Sequence, residues 1–175
     1  DFSQIEARTL AWLAGQDDLL AVFAEGGDPH KLQASKIYNK SVEDVTKDER
    51  SMGKVVILGC GYGSGAKGFQ NMLFRTYNMD LSPEECKYYV TLYRNTNQNI
   101  VNFWYALEER VTWVLRKGVD QQIGKLIIKR PFKDVLQIWL PSGRPITYRK
   151  VRMTSSGIVC YGRQGMSTRW GDVST

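Results

Sequence analysis

Two short stretches carry residue types and spacings that could do chemistry. The first is Asp1-Phe2-Ser3-Gln4-Ile5-Glu6-Ala7-Arg8. A carboxylate set just before a helix is well placed to hold a metal ion, and magnesium favours one or two carboxylates together with phosphate oxygens. Taken alone, Asp1 equally fits a solvated terminus, the usual place for an acid. The second stretch runs from Arg50 to Gly63. Arg50, Lys54, Leu58 and Tyr62 recur every four residues, so on a helix they form one slowly drifting stripe. The stripe is cationic at its start and apolar to aromatic at its end. That is the order needed to grip a triphosphate and stack on a base. Gly59, Gly61 and Gly63 remove side chains near the helix end, where another backbone or a base can then come close. The alternative is a solvated first turn and a core-facing second one, as in most amphipathic helices.

The elements that must position these residues are mostly helices with clear start and stop signals. Ser3 and Glu6 have the spacing of a capping box, opening a helix with Ile5, Leu10 and Leu13 on its apolar face and Gly15 at its close. Asp17–Glu25 reads as a second helix ended by Gly26-Gly27. Pro29–Tyr38 reads as a third, with Asp28 as N-cap and Pro29 in its first turn. Thr46 and Glu49 form another capping box, for a helix over 47–60 that carries the stripe. Beyond the glycine-dense segment 59–65, a helix runs to about Tyr77, and Ser82 with Glu85 starts the next. Asn99–Lys117 forms a longer one with Phe103, Trp104 and Trp113, and Gly118 lies beyond its end. From Gln121 the pattern turns to short β-like runs. Gln137–Leu140, the turn Pro141-Ser142-Gly143 and Arg144–Tyr148 read as a hairpin. Residues 154–175 are weakly patterned. The expected fold class is α+β, mainly helical with a C-terminal β-hairpin region.

Composition narrows the partners. The chain has 175 residues, 42% hydrophobic and 24% charged, enough for one respectable core. Its net charge is +6, and the excess lies at one end: residues 121–175 carry ten Lys/Arg against Asp134 and Asp172, whereas the remainder carries 14 against 16. A basic final third suggests a polyanion along one surface; the plainer alternative is a solvated basic face. Cys60, Cys86 and Cys160 are odd in number and lack C-x-x-C spacing, so they read as reduced thiols rather than disulfides or a zinc site. His30 is the only histidine, which excludes His-based metal clusters and triads needing a second one. Gly63-Ser64-Gly65-Ala66-Lys67-Gly68 fits G-x-G-x-x-G but follows a helix, so a dinucleotide fingerprint is rejected. There is no P-loop, and no stretch approaches the roughly 20 apolar residues of a membrane span. With no signal peptide to read, the expected location is cytoplasmic. The chain reads as a piece of a longer protein.

The two chemical stretches together match a family. Asp1-Phe2-Ser3-Gln4-Ile5-Glu6-x-Arg8 resembles the first catalytic motif of family A DNA polymerases, usually D-Y-S-Q-I-E-x-R. Arg50-x-x-x-Lys54-x-x-x-Leu58-Gly59-x-x-Tyr62-Gly63 resembles their nucleotide-binding helix, R-x-x-x-K-x-x-x-F-G-x-x-Y-G. His30 stands where the family carries a histidine, and Leu140-Pro141-Ser142-Gly143-Arg144 looks like the hairpin of phage members. The resemblance is strong over residues 1–63, looser to about 117 and thin beyond. It implies the end of a palm strand and first helix at 1–15, helical fingers at 16–117 with the nucleotide-binding helix at 47–60, and a β-rich return toward the palm at 118–175.

The resemblance also implies roles. Asp1 would bind two Mg2+ ions with help from the Phe2 backbone carbonyl, and Asp1 and Lys54 are the catalytic candidates. Arg50 and Lys54 would hold the triphosphate, with Gln4 and His30 lining the same pocket. Glu6 would be the steric gate against a 2′-hydroxyl. Tyr62 would sit at the template–primer junction, with Gly63 and Arg144 also on the DNA. Leu58 departs from the usual Phe or Tyr, which bears on sugar discrimination and speed. The implied reaction is template-directed transfer from a deoxynucleoside triphosphate to a primer 3′-hydroxyl by two metals, with primer–template DNA as partner. The family's H-D-E motif does not occur in this chain, so the segment alone is expected to be inactive. Two rivals remain: a single-subunit RNA polymerase, against which Glu6 argues, and a non-catalytic DNA-binding module, which explains neither Asp1 and Glu6 nor the stripe.

Overall fold

In the computed structural model of the chain, residues 4–155, 157–161 and 167–169 are described. The chain forms two compact units, Asp1–Asn102 and Phe103–Thr175.

The first unit is helical. Helix α1 spans Ile5–Ala14, and its N-cap is Gln4, left-handed at φ 59° and without a side-chain cap. The expected capping box rests on Ser3, which lies outside the described residues; the Glu6 carboxylate accepts from the Tyr62 hydroxyl. The expected apolar face also shifts. Ala11 is buried, Leu10 and Leu13 are half-buried, and Ile5 is 50% exposed because it borders a cleft. Helix α2, Asp17–Ala24, buries Leu19 and Phe23. Helix α3, Pro29–Tyr38, begins as the sequence predicts: Asp28 accepts from the backbone N–H of His30 at 2.9 Å and of Lys31 at 3.3 Å.

Helix α4, Lys47–Cys60, carries the full capping box, with Thr46 N–H donating to Glu49 at 2.8 Å and Glu49 N–H to Thr46 Oγ1 at 3.3 Å. Lys40 clamps the same Glu49 at 2.7 Å. Helices α3 and α4 approach closely at Gly53, where an added Cβ would stand 2.2 Å from the His30 carbonyl oxygen. Helix α5, Ala66–Met72, runs into a π-helical turn, Leu73–Tyr77, that Asn78 ends at φ 51°. The capped helix α6, Pro83–Thr96, follows. The core gathers Val56, Cys60, Phe69, Leu73, Cys86, Val90 and Tyr93. Burial pushes the Cys60 thiol up to about 12, and all three cysteines are buried and outside any disulfide.

Helix α7, Gln98–Lys117, runs from the first unit into the second. There it buries Val111, Val114 and Leu115. Strands β1 (Gln121–Ile123), β2 (Leu126–Phe132), β3 (Val135–Trp139) and β4 (Pro145–Arg149) form an antiparallel sheet in sequence order. The predicted hairpin is β3–β4, with Val135 opposite Arg149 and Trp139 opposite Pro145. Gly143, at φ 76°, turns it. Period-two alternation puts Leu126, Ile128, Leu136, Ile138 and Tyr148 inside. Arg130 ties the sheet to α7 by donating to the Leu115 carbonyl. The weakly patterned end still yields β5 (Arg152–Thr154), β6 (Gly157–Tyr161) and β7 (Ser167–Arg169) as a second antiparallel sheet. The fold is α+β. Among the described residues no helix is long and apolar enough to cross a membrane.

Candidate functional site

The Arg50–Tyr62 stripe faces outward. Val55, Val56, Gly59 and Cys60 form the buried side of α4, while Lys54 is exposed, Leu58 is 38% exposed and Tyr62 45%. A core-facing second turn is therefore excluded. Tyr62 lies just past the helix, where Gly61 keeps right-handed helical geometry and carries the turn onward. Gly59 does not leave room for a base, because Phe69 and Met72 fill its space: a Cβ there would come within 2.5 Å of Phe69 Cδ2 and 2.3 Å of Met72 Cε. Gly63 sits exposed at φ 78° and makes the next turn.

Leu58 and Tyr62 border a cleft of about 310 Å³ in the first unit. Its walls come from α1, α2, α3, α4, α6 and the start of α7, and Gln4, Glu6 and His30 are among the lining residues. The structure thus gathers five predicted site residues around one space. The Tyr62 hydroxyl donates to the Glu6 carboxylate, and this bond, with some burial, pushes the Tyr62 hydroxyl up to about 12. Arg50 and Lys54 are not part of the cleft wall. Arg50 is paired through Nε with Asp28 Oδ2 at 2.5 Å. Lys54 lies near enough to His30 for its charge to act on the imidazole.

His30 is buried, and burial pushes its pKa below the usual histidine value; Asp28 opposes this, while Arg50 and Lys54 reinforce it. A neutral imidazole follows at pH 7. Its Nδ1 has no hydrogen-bond partner, standing 3.7 Å from Asp28 Oδ1, and neither have the buried Gln4 Oε1 and Gln33 Nε2. All three side chains line the cleft. Buried polar atoms are normally satisfied, so these three atoms offer a ligand polar contacts within an otherwise largely apolar wall.

Sequence reasoning missed part of this site. Asp28 signalled only a helix cap, yet it also holds Arg50. Gln33 and Asn97, both buried, line the cleft and meet at 3.4 Å, but no motif marks a buried amide pair. Asp1 and Phe2 lie outside the described residues. Arg144 is exposed in the second unit. Among the described residues no three metal-ligating side chains gather, so that part of the chain does not by itself fit a two-metal centre.

Fold and site together define a class: an α+β protein whose helical unit presents two cations, an apolar residue and a tyrosine in line beside a largely apolar cleft that carries a few polar groups. Comparison with known proteins narrows it. Residues 1–123 match the model of DNA polymerase family A. The DNA polymerase of Bacillus phage SP02 is 33% identical over 184 residues, covering 100% of this chain and 28% of that protein. DNA polymerase I of Aquifex aeolicus is 37% identical over 87 residues, 50% of this chain and 15% of that one. Among solved structures, the POL domain of Pol1 from M. smegmatis, in complex with DNA primer-template and dNTP, matches with a TM-score of 0.52 and 28% identity over 67% of this chain and 19% of that one. The chain belongs to DNA polymerase family A.

Proposed function

We propose that this chain supplies the nucleotide-gripping part of a template-directed DNA polymerase, which transfers nucleotides from deoxynucleoside triphosphates to a primer 3′-hydroxyl. The observation that carries the reading is the cleft in which Leu58 and Tyr62, at the end of a cationic stripe, meet Gln4, Glu6 and His30. Arg50 and Lys54 hold the triphosphate as charge-assisted donors. Neutral His30 and Gln4 supply uncharged polar contacts, and Leu58 packs against the nucleotide. Glu6, fixed by Tyr62, occupies the position a ribose 2′-hydroxyl would need.

Residues 1–15 belong on this reading to a palm strand and first helix, 16–117 to the fingers and 118–175 to the return toward the palm. Tyr62, Gly63 and Arg144 face primer–template DNA, and the basic excess of residues 121–175 matches that polyanion. Asp1 and the Phe2 carbonyl are the candidates for Mg2+. Bound there, two ions would supply activation of the primer oxygen and charge stabilisation at the leaving pyrophosphate. The enzyme works in the cytoplasm of a bacterium or a phage-infected cell.

The test is Lys54→Ala in the complete polymerase, with single-nucleotide incorporation measured for each of the four deoxynucleotides. The KM should rise for all four alike, since a charged contact to phosphate, about 1.5–3 kcal/mol, carries no base information. A rise confined to one base would refute the phosphate role.

A further inference from the structure

We propose that Asp28 is a positioning residue for nucleotide binding: its carboxylate anchors the Nε edge of Arg50 and leaves the two terminal guanidinium nitrogens to take phosphate oxygens. The inference rests on the triphosphate role of Arg50 proposed above. An arginine carries five N–H donors in a rigid fork, so fixing one edge fixes the direction of the rest. Asp28 Oδ2 stands 2.5 Å from Arg50 Nε. Among the described residues neither terminal nitrogen of Arg50 has a hydrogen-bond partner.

The anchor is itself held firmly. Asp28 Oδ1 accepts from the backbone N–H groups of His30 and Lys31 as the cap of α3. The close approach of α3 and α4 at Gly53 sets the distance between the two partners. Burial works against the Asp28 charge, but hydrogen bonds from Arg50 and from the backbone outweigh it and keep the carboxyl below its usual range. One carboxylate therefore starts a helix, stands beside His30 and orients the arginine 22 residues on.

The opposite reading, a carboxylate occupying the place of a phosphate, predicts the opposite sign. Single-nucleotide incorporation by the complete polymerase on a primed template separates the two. Asp28→Asn and Asp28→Ser both keep a capping oxygen, so α3 stays capped, and neither offers Arg50 a charge. Each should raise the KM for all four deoxynucleotides about tenfold, in keeping with loss of a charge-assisted hydrogen bond, and change kcat less. In an Arg50→Ala background neither should raise it further. A lowered KM, or an increase of equal size with and without Arg50, overturns the proposal while leaving Arg50 its role. If Arg50→Ala alone leaves KM unchanged, Arg50 does not hold the triphosphate, and the inference falls with that reading.

Discussion

Glu6 and Tyr62 stand 56 positions apart in the chain, yet their side chains meet at the mouth of the cleft. The family motifs mark each residue separately, but only the fold joins them, because a contact between α1 and the end of α4 has no local sequence pattern. The bond gives Glu6 a fixed position rather than the free rotamers of an exposed acid. Glu6→Ala should therefore let the complete polymerase incorporate ribonucleotides, since nothing would fill the space beside the sugar. Tyr62→Phe should admit fewer, because the carboxylate would still be present though less firmly placed. Primer extension with ribonucleoside triphosphates measures both. Unchanged exclusion in Glu6→Ala would leave Glu6 as no more than an acid in the first turn of α1.

At the scale of elements, the caps were readable and the contacts between helices were not. Asp28-Pro29, Thr46 with Glu49, and Ser82 with Glu85 start their helices where their spacing predicts, because a cap is a local exchange of hydrogen bonds. Ser3 with Glu6 has the same spacing, but Ser3 lies outside the described residues; what the spacing does not announce is the bond from Tyr62 to Glu6. Gly53 gave no such signal: inside a helix it looks like a mild defect, worth about 1 kcal/mol against Ala. In the structure it is where α3 lies on α4, and a methyl group there would strike the His30 carbonyl and the Ala34 backbone nitrogen, at 2.2 and 3.0 Å. Gly53→Ala should thus destabilise the protein by roughly 1–3 kcal/mol, the usual range for overpacking, despite its better helix propensity. Denaturant unfolding measures this. A gain in stability would mean that the two helices do not approach so closely, and the spacing that pairs Asp28 with Arg50 would lose its support.

At the scale of the whole molecule, this chain spans about a quarter of the phage SP02 polymerase it resembles, 28% of that protein's length. The cleft lies in the first unit and the basic excess in the second. Leu58 is where a change in one side chain should be felt by the complete enzyme. It is 38% exposed on the cleft wall, at a position where the family motif has an aromatic ring. A ring would stack on the incoming base or sugar, and offset aromatic contacts add roughly 0.5–1.5 kcal/mol beyond the area they bury. Leucine keeps the apolar surface but loses the flat face, so a closed, nucleotide-bound state is held less tightly. Closure assembles a polymerase site before chemistry, and weaker closure slows incorporation. Leu58→Phe should therefore speed single-nucleotide incorporation several-fold in pre-steady-state extension of a primed template. Leu58→Tyr should in addition improve acceptance of dideoxynucleotides, by offering a hydroxyl near the missing 3′-oxygen. If both variants match the parent enzyme, the nucleotide does not sit against residue 58, and the cleft beside it serves something other than the incoming substrate.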